Sequence, residues 1–353
     1  MSDDTVSDEV IGLALDAGPT GFDHDGPTQA AFYPFPGEQI GRYILGDKLA
    51  QGSFGLVFAA LDTELDRQVA IKILNPDHAH NTDVLGRFLQ EASATARIVH
   101  PGVVTMLDCG QYDGGAYIAM DLLDGCSLAA RLAEDGRLLP HDAVDIACQI
   151  ASALDAAHMA GVLHRDLKPD NIFLIPDPAM TSGVRVKILD FGLAKLETGR
   201  RTLMHSVFGT PRYMSPEQCR SSTSVDARSD IYSLGCILFE LITGAPPFEG
   251  DLAAVVEAHH DGEIPRPSSF AFCSPHLDEL IVMMLAKDPA RRPVTMRDVE
   301  RALATLPAGR LGSSRTITSE QASTARGILP IMRPAIATPR RLPPPVPATR
   351  RAP

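Results

Sequence analysis

The sequence predicts an α+β fold of two lobes. A small antiparallel β-sheet lobe with one helix is expected over residues 43–120, and a larger, mainly α-helical lobe over 121–306. Strand-like runs separated by Gly and Asp turns fill the first region, interrupted by one segment with the i, i+3, i+4 apolar spacing of a helix. Beyond residue 125 helical spacing dominates. With 353 residues, 44% of them apolar, the chain is large enough to bury such a core.

The first lobe opens with three strand-like runs that predict an antiparallel meander: RYILGDKLA, GLVFAALD and RQVAIKIL. A helix is predicted near 82–98, after a capping Asn or Thr. Its core-facing residues are Val84, Leu85, Phe88, Leu89, Ala92 and Ala96. Two further runs, VVTMLDCG and GAYIAMDLL, complete the predicted sheet.

The second lobe contains two helices that the pattern predicts clearly. One covers 140–160, where apolar residues recur on one face, and the other covers 229–243, which is apolar enough to be a buried central helix. Between them, GVLHRDLKPDNIFL at 161–174 has aliphatic flanks, VL and IFL, that we interpret as short buried strands.

Charge divides the chain into three parts. Residues 1–40 hold eight Asp or Glu and no Lys or Arg, so 1–42 is predicted to be an acidic disordered arm. Residues 307–353 hold eight Arg, one Glu and many prolines, which predicts a disordered tail. The net charge of −12 argues against a nucleic-acid partner, because dedicated nucleic-acid binders carry a basic excess.

Cysteine usage and apolar runs predict a cytoplasmic location without a membrane span. The six Cys are scattered without metal-binding spacing, as expected of reduced thiols. The N-terminus lacks the pattern of a signal peptide, and no apolar run approaches the ~18 residues of a membrane span. We interpret His78, His80, His259 and His260 as loop and helix-surface residues rather than metal ligands, because carboxylate or Cys companions are missing.

Six polar residues crowd the segment 164–171, namely His164, Arg165, Asp166, Lys168, Asp170 and Asn171. A charge run is usually a solvated surface loop. Here the aliphatic flanks would hold the polar groups rigidly at a cleft, which favours catalysis. Asp190 in KILDFGLA follows an apolar strand, and with Asn171 it offers oxygen ligands that suit Mg²⁺.

Phosphate-binding features precede this loop. In LAQGSFGLV, Gly52 and Gly55 lie in a turn between predicted strands, where backbone N–H groups can approach phosphate oxygens, although an ordinary hairpin would use the same glycines. Lys72 ends the apolar run VAIK. An inward-facing Lys72 would need a counter-charge, which Glu91 on the next helix can supply.

In this order the motifs resemble those of the eukaryotic-type Ser/Thr protein kinases, a family that also has a bacterial branch. The matching stretches are the glycine turn, VAIK, the helix Glu, HRDLKPDN, DFG, GTPRYMSPE, DIYSLG and DPARRP. The resemblance covers roughly 43–306 and implies the two-lobed protein-kinase fold. It also implies ATP-dependent transfer of the γ-phosphoryl group to protein Ser or Thr hydroxyls in signal transduction.

The resemblance assigns roles to the site residues. Asp166 would accept the proton of the substrate hydroxyl, and Lys168 would face the γ-phosphate. Lys72, paired with Glu91, would contact the α and β phosphates. Mg²⁺, with Mn²⁺ as the alternative ion, would be held by Asn171 and Asp190. The nucleotide would be bound by Leu49, Ala50, Gln51, Gly52, Ser53, Phe54, Gly55, Leu56, Val57, Ala70, Lys72, Met120, Asp121, Leu123 and Phe173.

Further matches concern residues that would contact the protein substrate or support the loop that binds it. Thr210 would hydrogen-bond near Asp166, Glu217 would form a buried ion pair with Arg292 that supports the substrate loop, and Asp230 would orient the backbone of the catalytic loop.

Two residues depart from the family pattern. Ala50 replaces the first loop glycine and bears on nucleotide affinity, and Ser215 replaces the commoner Ala.

Regulation is expected to involve the segment 195–208 between DFG and GTPRY. Arg165 is a buried cation that a phosphate on this segment would satisfy, with Thr202 as the first choice and Ser206 as the second. The family resemblance also allows a transient homodimer for activation. The Ser and Thr residues near arginines make the tail an expected autophosphorylation substrate and a weak competitor for protein substrates. The alternatives are an inert linker and a partner-binding polyproline segment around RLPPPVP.

Two other function classes compete with this interpretation. A pseudokinase that acts as a binding scaffold would be expected to lack Lys72, Asp166, Asn171 or Asp190, and all four are present. A small-molecule kinase of similar fold would lack the GTPRYMSPE segment.

Overall fold

The computed structural model describes residues 33–52, 55–78, 81–191, 211–220 and 225–306. The strands of this part of the chain are β1 (Gln39–Ile40), β2 (Tyr43–Gln51), β3 (Gly55–Asp62), β4 (Arg67–Leu74), β5 (Met106–Tyr112), β6 (Gly115–Asp121), β7 (Cys126–Ser127), β8 (Ile172–Pro176) and β9 (Val184–Ile188). Its α-helices are α1 (Thr82–Thr95), α2 (Leu128–Asp135), α3 (Pro140–Met159), α4 (Pro216–Arg220), α5 (Ala227–Thr243), α6 (Leu252–Asp261), α7 (Pro275–Met284) and α8 (Met296–Ala304).

The first lobe is an antiparallel sheet of six strands in the order β1-β2-β3-β4-β6-β5. The predicted meander is confirmed, and β1 adds an edge strand that the pattern did not indicate. One core cluster of this lobe packs Tyr43, Phe58 and Ile71 from three different strands. Val57 of β3 lies opposite Lys72 of β4, and Ala70 of β4 lies opposite Met120 of β6. Residues of three neighbouring strands therefore come together in the same part of the sheet.

Helix α1 begins at an N-cap, Asn81, whose side chain accepts hydrogen bonds from the backbone N–H groups of Asp83 and Val84. It packs Phe88 and Ala92 on the sheet, in a cluster that includes Ile118. The helix ends at Thr95, three residues before the predicted end. The position of the predicted helix is therefore confirmed, and so is its packing face for Val84, Leu85, Phe88, Leu89 and Ala92. The prediction was wrong for Ala96, which is the exposed C-cap residue beyond the last turn.

The second lobe surrounds α5, in which 13 of 17 residues are buried. Helices α3, α7 and α8 pack around it, and the largest hydrophobic cluster joins them to β8 and β9. The prediction of a buried central helix is confirmed. Its start at Ala227 follows the N-cap Asp226, whose side chain accepts from the N–H of Arg228.

The flanks of the charged segment differ from the prediction. IFL belongs to β8, which pairs with β7 and β9 in a three-stranded sheet. VL is not a strand, so that prediction was wrong. The reason is that Val162 still closes the preceding helix: its N–H donates to the carbonyl of Ala157 at 2.9 Å, while Gly161 adopts a left-handed φ of 75°.

Within the described residues, no helix combines the length and apolarity that a membrane crossing requires. All six Cys are free thiols, although only Cys219 and Cys236 are buried and Cys109 is exposed.

Candidate active site

A buried carboxylate on the central helix α5 anchors the charged loop. Asp230, 1% exposed, accepts hydrogen bonds from the backbone N–H groups of His164 and Arg165, both at 2.9 Å. The Nε2 of His158 lies 2.7 Å from the same carboxylate. Burial alone would raise the pKa of Asp230, but the hydrogen bond and charge of His158, together with His164, outweigh it and hold this pKa below its ordinary value. The carboxylate therefore stays ionised and fixes the loop backbone.

His164 joins the charged loop to the segment that carries Asp190. The His164 Nε2 lies 3.0 Å from the carbonyl oxygen of Leu189, and its ring packs on Phe191 with the ring centroids 4.9 Å apart. Complete burial lowers the pKa of His164, so its imidazole is neutral. The two polar segments are thus held against each other by a buried aromatic contact.

The predicted base, Asp166, lies within a small hydrogen-bonded group. The Lys168 Nζ donates to Asp166 Oδ2 at 2.8 Å. The Asn171 Nδ2 donates to the backbone carbonyl of Asp166 at 2.8 Å and to its Oδ2 at 3.2 Å. The Asp166 side chain is 35% exposed, so its carboxylate remains accessible from the cleft. The structure therefore brings three of the predicted residues together on one loop.

Two residues of the site adopt left-handed backbone conformations. Arg165 has a φ of 66° and Asp190 a φ of 57°. A non-Gly residue in this region costs about 1–3 kcal/mol and persists where the surroundings fix it, often at functional sites. At Arg165 the fixing groups are visible: its N–H is bound by Asp230 and its carbonyl by Gln218.

The expected ion pair between Lys72 and Glu91 is absent from the described part of the structure. Lys72 Nζ instead donates to Asp190 Oδ1 at 2.6 Å, across the cleft. Glu91 Oε2 is buried and makes no hydrogen bond within the described residues. Burial raises the pKa of Glu91 to about 8, although the charges of Arg165 and Lys72 oppose the shift. In this structure Glu91 is therefore a largely protonated carboxyl group at pH 7, and Asp190 is the partner of the Lys72 ammonium.

A narrow cavity of about 10 Å³ separates Glu91 from Met120, with Lys72 and Phe191 among its other walls. This volume is about the minimum that holds a single water molecule. The carboxyl group of Glu91 therefore has little access to solvent, which is the origin of its raised pKa.

Four of the predicted nucleotide-binding residues share one apolar cluster. Ala70 and Met120 belong to its buried part, together with Val104, and Val57 and Leu123 pack against it. Leu189 belongs to the same cluster and was missed, because the residue before Asp190 carried no signal of its own. Phe173 lies on β8, half-buried and outside this cluster. Asp121 and Leu123 follow Met120 at the edge between the lobes.

The glycine turn begins inside the β2–β3 ladder. Ala50 pairs with Val57 in that ladder and is exposed, so its methyl group is accommodated in extended backbone. The N–H of Gly52 donates to the carbonyl of Gly55 at 2.9 Å. A Cβ atom on Gly55 would lie 2.1 Å from the carbonyl oxygen of Ile73, so only glycine fits there. Leu49, Gln51 and Leu56 are also strand residues, whereas Ser53 and Phe54 lie outside the described residues.

On the substrate side, Glu217 and Arg292 form a bidentate ion pair with N···O distances of 2.7 and 2.9 Å. The Arg292 guanidinium is fully buried and also donates to the backbone carbonyls of Ala286 and Arg228. Burial alone would raise the pKa of Glu217, but hydrogen bonds from Arg292 and Ser229 outweigh it and hold this pKa below its ordinary value. Thr210, Thr202 and Ser206 lie outside the described residues.

Sequence reasoning missed Gln218. Its Nε2 donates to the carbonyl of Arg165 at 2.6 Å, and its Oε1 accepts from the N–H and Oγ of Ser215. Gln218 therefore connects the segment 211–220 to the loop that carries Arg165 and Asp166. The available signal was the spacing S-x-x-Q in SPEQ, which is typical of a capping box.

The interpretation of the paired histidines was wrong for one of them. His259 is 0% exposed and contacts Tyr232, whereas His260 is half-buried and accepts a hydrogen bond from Arg220 Nε at 3.0 Å. Both lie on α6, whose mixed composition does not reveal which face is buried. His80 lies outside the described residues, and His78 lies in a short 3₁₀ turn. Within the part of the chain that the structure describes, no cluster of three or more metal-ligating His, Cys, Asp or Glu side chains occurs.

Comparison with known proteins agrees with this geometry. The family described as protein kinase domain matches residues 43–303. The serine/threonine-protein kinase PknB of Mycolicibacterium smegmatis is 36% identical over 316 residues, which cover 87% of this chain and 49% of the relative. The serine/threonine-protein kinase PknE of Mycobacterium bovis is 40% identical over 268 residues, covering 75% of this chain and 46% of the relative. The chain thus spans about half the length of these relatives.

A solved structure shows the same architecture. The crystal structure of the Mycobacterium tuberculosis PknI kinase domain superposes with a TM-score of 0.61 at 27% identity. The match covers 77% of this chain and 99% of that domain.

Proposed function

Because the chain belongs to the protein kinase family, in its bacterial Ser/Thr branch, we propose that it transfers the γ-phosphoryl group of Mg-ATP to Ser or Thr hydroxyls of proteins. The observation that carries this proposal is the group around Asp166: an accessible carboxylate held between Lys168 and Asn171, on a loop whose backbone Asp230 fixes. Phosphoryl transfer depends mainly on positioning and electrostatics, and this loop supplies both.

Asp166 orients the substrate hydroxyl and accepts its proton at the carboxylate. Lys168, 2.8 Å from that carboxylate, is placed to balance negative charge on the transferred group. Lys72 and Asp190 face each other across the cleft, so Lys72 lies within reach of phosphate oxygens bound there. The apolar cluster around Ala70 and Met120 is suited to an adenine ring.

The residues present fit a magnesium ion. Asn171 uses its amide nitrogen to bind Asp166, which leaves its oxygen as a ligand atom, and Asp190 supplies a carboxylate. When bound there, Mg²⁺ would neutralise phosphate charge, and Mn²⁺ could take its place because it accepts the same oxygen ligands. The Lys72 ammonium must then share Asp190 with the ion.

Protein substrates are supported by the segment 211–220, which the Glu217–Arg292 ion pair and Gln218 hold beside the catalytic loop. The names of the relatives support Ser and Thr as acceptors. A role in signal transduction is part of the proposal.

Autophosphorylation of the activation segment is part of this proposal. The Arg165 Nε is buried and has no hydrogen-bond partner among the described residues, so a phosphate on Thr202, or on Ser206 as the second choice, would meet an unsatisfied cation. A transient homodimer would allow this reaction in trans. The unpaired Cys residues support a reducing, cytoplasmic location, and the Pro-rich tail is proposed to bind a partner.

The test is a kinase assay on the purified chain with Mg-ATP and a Ser- or Thr-containing protein acceptor. Phosphate transfer to the acceptor that requires Asp166 and Lys72 is the expected result. If ATP binds but no phosphate is transferred under any divalent ion, the chain is a pseudokinase scaffold and the proposal is wrong.

A further inference from the structure

The backbone carbonyl of Arg165 is held by a side chain from a distant part of the sequence. Gln218, in the short helix α4, donates from its Nε2 to this carbonyl at 2.6 Å. Arg165 directly precedes the proposed base Asp166 and has a left-handed φ of 66°. The carbonyl of Arg165 and the N–H of Asp166 belong to one planar peptide group. Gln218 therefore contacts the peptide group that leads into the base.

The N–H edge of this peptide group is held as well. The N–H of Asp166 donates to His164 Nδ1 at 3.3 Å. His164 can accept there because its imidazole is neutral and its Nε2 faces the carbonyl of Leu189. Rotation of the peptide group would change the backbone angles on both sides, including the φ of Asp166, on which the direction of its side chain depends. The hydrogen bonds from Gln218 and to His164 both oppose that rotation.

Hydrogen-bond chemistry fixes the direction of the Gln218 amide. A backbone N–H can only donate, and a backbone carbonyl can only accept. Gln218 Oε1 accepts from the N–H of Ser215 at 3.0 Å and from its Oγ at 3.1 Å, so Nε2 is the atom that faces the Arg165 carbonyl. Ser215 is fully buried. Its hydroxyl, which the commoner Ala would lack, adds a second donor that holds the amide in this direction.

The segment from which Gln218 reaches the loop is itself anchored. Glu217, the residue before Gln218, binds Arg292 with N···O distances of 2.7 and 2.9 Å and accepts from Ser229 Oγ at 2.6 Å. The Gln218 side chain thus extends from a fixed support to the backbone of another segment. It acts on Asp166 through that backbone, and no residue assigned to nucleotide or metal binding takes part in the contact.

We propose that Gln218 is a positioning residue for Asp166, whose Nε2–H holds the peptide group between Arg165 and Asp166 and thereby supports phosphoryl transfer. The rate of transfer then depends on the docking of segment 211–220, because Gln218 reaches the Arg165 carbonyl from that segment. The inference rests on the proposed kinase function and specifies which contact positions its base.

Two substitutions separate this contact from the support of helix α4. Gln218→Glu keeps an oxygen that can accept from Ser215, but it has no N–H for the Arg165 carbonyl. Gln218→Met removes both contacts without adding a charge. Loss of one hydrogen bond predicts that each variant lowers the single-turnover rate of phosphoryl transfer to a Ser-containing peptide about threefold to tenfold. The KM values of Gln218→Glu for ATP and for the peptide are expected to stay within about twofold of wild type, because the segment remains in place.

Gln39→Glu is the matched control. Gln39 Nε2 donates to the carbonyl of Gly41 at 2.9 Å, at an exposed site of the first lobe. The control therefore adds the same charge and removes the same type of hydrogen bond in the other lobe. All chains are compared at the same phosphorylation state, determined by mass spectrometry.

Several outcomes of these assays would overturn the inference. A wild-type transfer rate in Gln218→Glu would do so, as would an equal loss of rate in the control. A loss that Gln218→Met does not share would be an effect of charge. A raised peptide KM with an unchanged transfer rate would limit Gln218 to supporting the segment that holds the protein substrate.

A second measurement needs no activity. Hydrogen exchange of the Asp166 amide reports on the peptide group that Gln218 holds, and exchange of the Ser215 amide reports on the support of α4. We expect the Asp166 amide to exchange about threefold to tenfold faster in Gln218→Glu than in wild type, while the Ser215 amide stays protected. Unchanged exchange at Asp166, or an equal loss of protection at Ser215, would refute the inference. An inactive wild-type chain with both expected exchange readouts would refute only the kinase function.

Discussion

Lys72 Nζ and Asp190 Oδ1 are 2.6 Å apart and join the two lobes across the cleft. Lys72 comes from β4 of the sheet, and Asp190 comes from the segment after β9. Glu91 is not part of this pair, and desolvation of its carboxyl group raises its pKa to about 8. The cleft thus contains an ion pair and a largely protonated acid, and this arrangement leads to the first prediction.

Replacement Glu91→Gln is expected to remove a pH dependence of stability. The pKa of Glu91 rises from an ordinary value of 4.5 to about 8 on folding, so between these values the folded chain holds a proton that the unfolded chain lacks. The free energy of unfolding therefore falls as pH rises through this window. Glutamine mimics the protonated acid, so the variant gains stability relative to wild type on going from about pH 5 to pH 8. Urea unfolding of both proteins at the two pH values measures this difference in the free energy of unfolding. Exposed Glu134→Gln is the control, and an identical slope in wild type and Glu91→Gln would disprove the assignment.

Replacement Asp166→Asn is expected to lower the rate of phosphoryl transfer about 10²–10⁴-fold, because a positioned base contributes about that much. The fold is expected to survive, since the amide keeps the shape of the side chain and Asp230 still holds the loop. Lys72→Met is also expected to abolish transfer. Initial rates with labelled ATP and circular dichroism test both statements. Asp113→Asn, in the exposed turn between β5 and β6, is the control, and a wild-type rate in the Asp166 variant would contradict its role.

Replacement Arg292→Met is expected to lower the free energy of unfolding by about 3–5 kcal/mol, because it leaves the buried carboxylate of Glu217 without its partner. The matched surface change is Arg297→Met, which breaks a pair between Asp155 and a guanidinium that is 59% exposed. That change is expected to cost about 0–1 kcal/mol. Urea titrations of both variants measure the two losses in the free energy of unfolding. Equal losses would mean that burial does not make the Glu217–Arg292 pair more important for stability than the exposed pair.

Phosphorylation of the activation segment is expected at Thr202, and at Ser206 as the second choice. A phosphate there would pair with Arg165, whose Nε is buried and has no partner among the described residues, and would raise activity. Mass spectrometry of the active chain locates the phosphate, and phosphatase treatment followed by an activity assay measures its effect. The chain with Asp166→Asn serves as the unphosphorylated control. Full activity with neither residue modified would rule this regulation out.

The tail is expected to act as a weak autophosphorylation substrate. Residues 307–353 carry a net charge of +7, whereas residues 41–306 carry −11, so the two attract each other at low salt. Phosphate is expected on Ser313, Ser314, Thr316, Thr318 or Ser319. The comparison is between the full chain and one that ends at Pro307, with an added peptide substrate at low and high salt. Identical activity and salt dependence, with no phosphate beyond 307, would leave the tail without a regulatory role.

Local pattern was sufficient for the fold class and for much of the site. The alternation in β3 and β4, the helical spacing of α1 and the apolar run of α5 are each encoded within one element, so their positions could be read directly from the sequence. HRDLKPDN and DFG are equally local, because the residues of each motif lie within one loop. The sequence alone could therefore propose Asp166, Asn171 and Asp190 as site residues.

What needed the tertiary structure was the choice among partners far apart in sequence. Lys72 could face Glu91 or Asp190, and only the folded chain shows that it binds Asp190, while burial raises the pKa of Glu91. His259 and His260 are adjacent on one helix, and only the packing of α6 under Tyr232 buried the first and not the second. Motif and periodicity describe a chain one segment at a time, whereas pKa values and hydrogen-bond partners depend on desolvation by segments that meet only in the folded molecule.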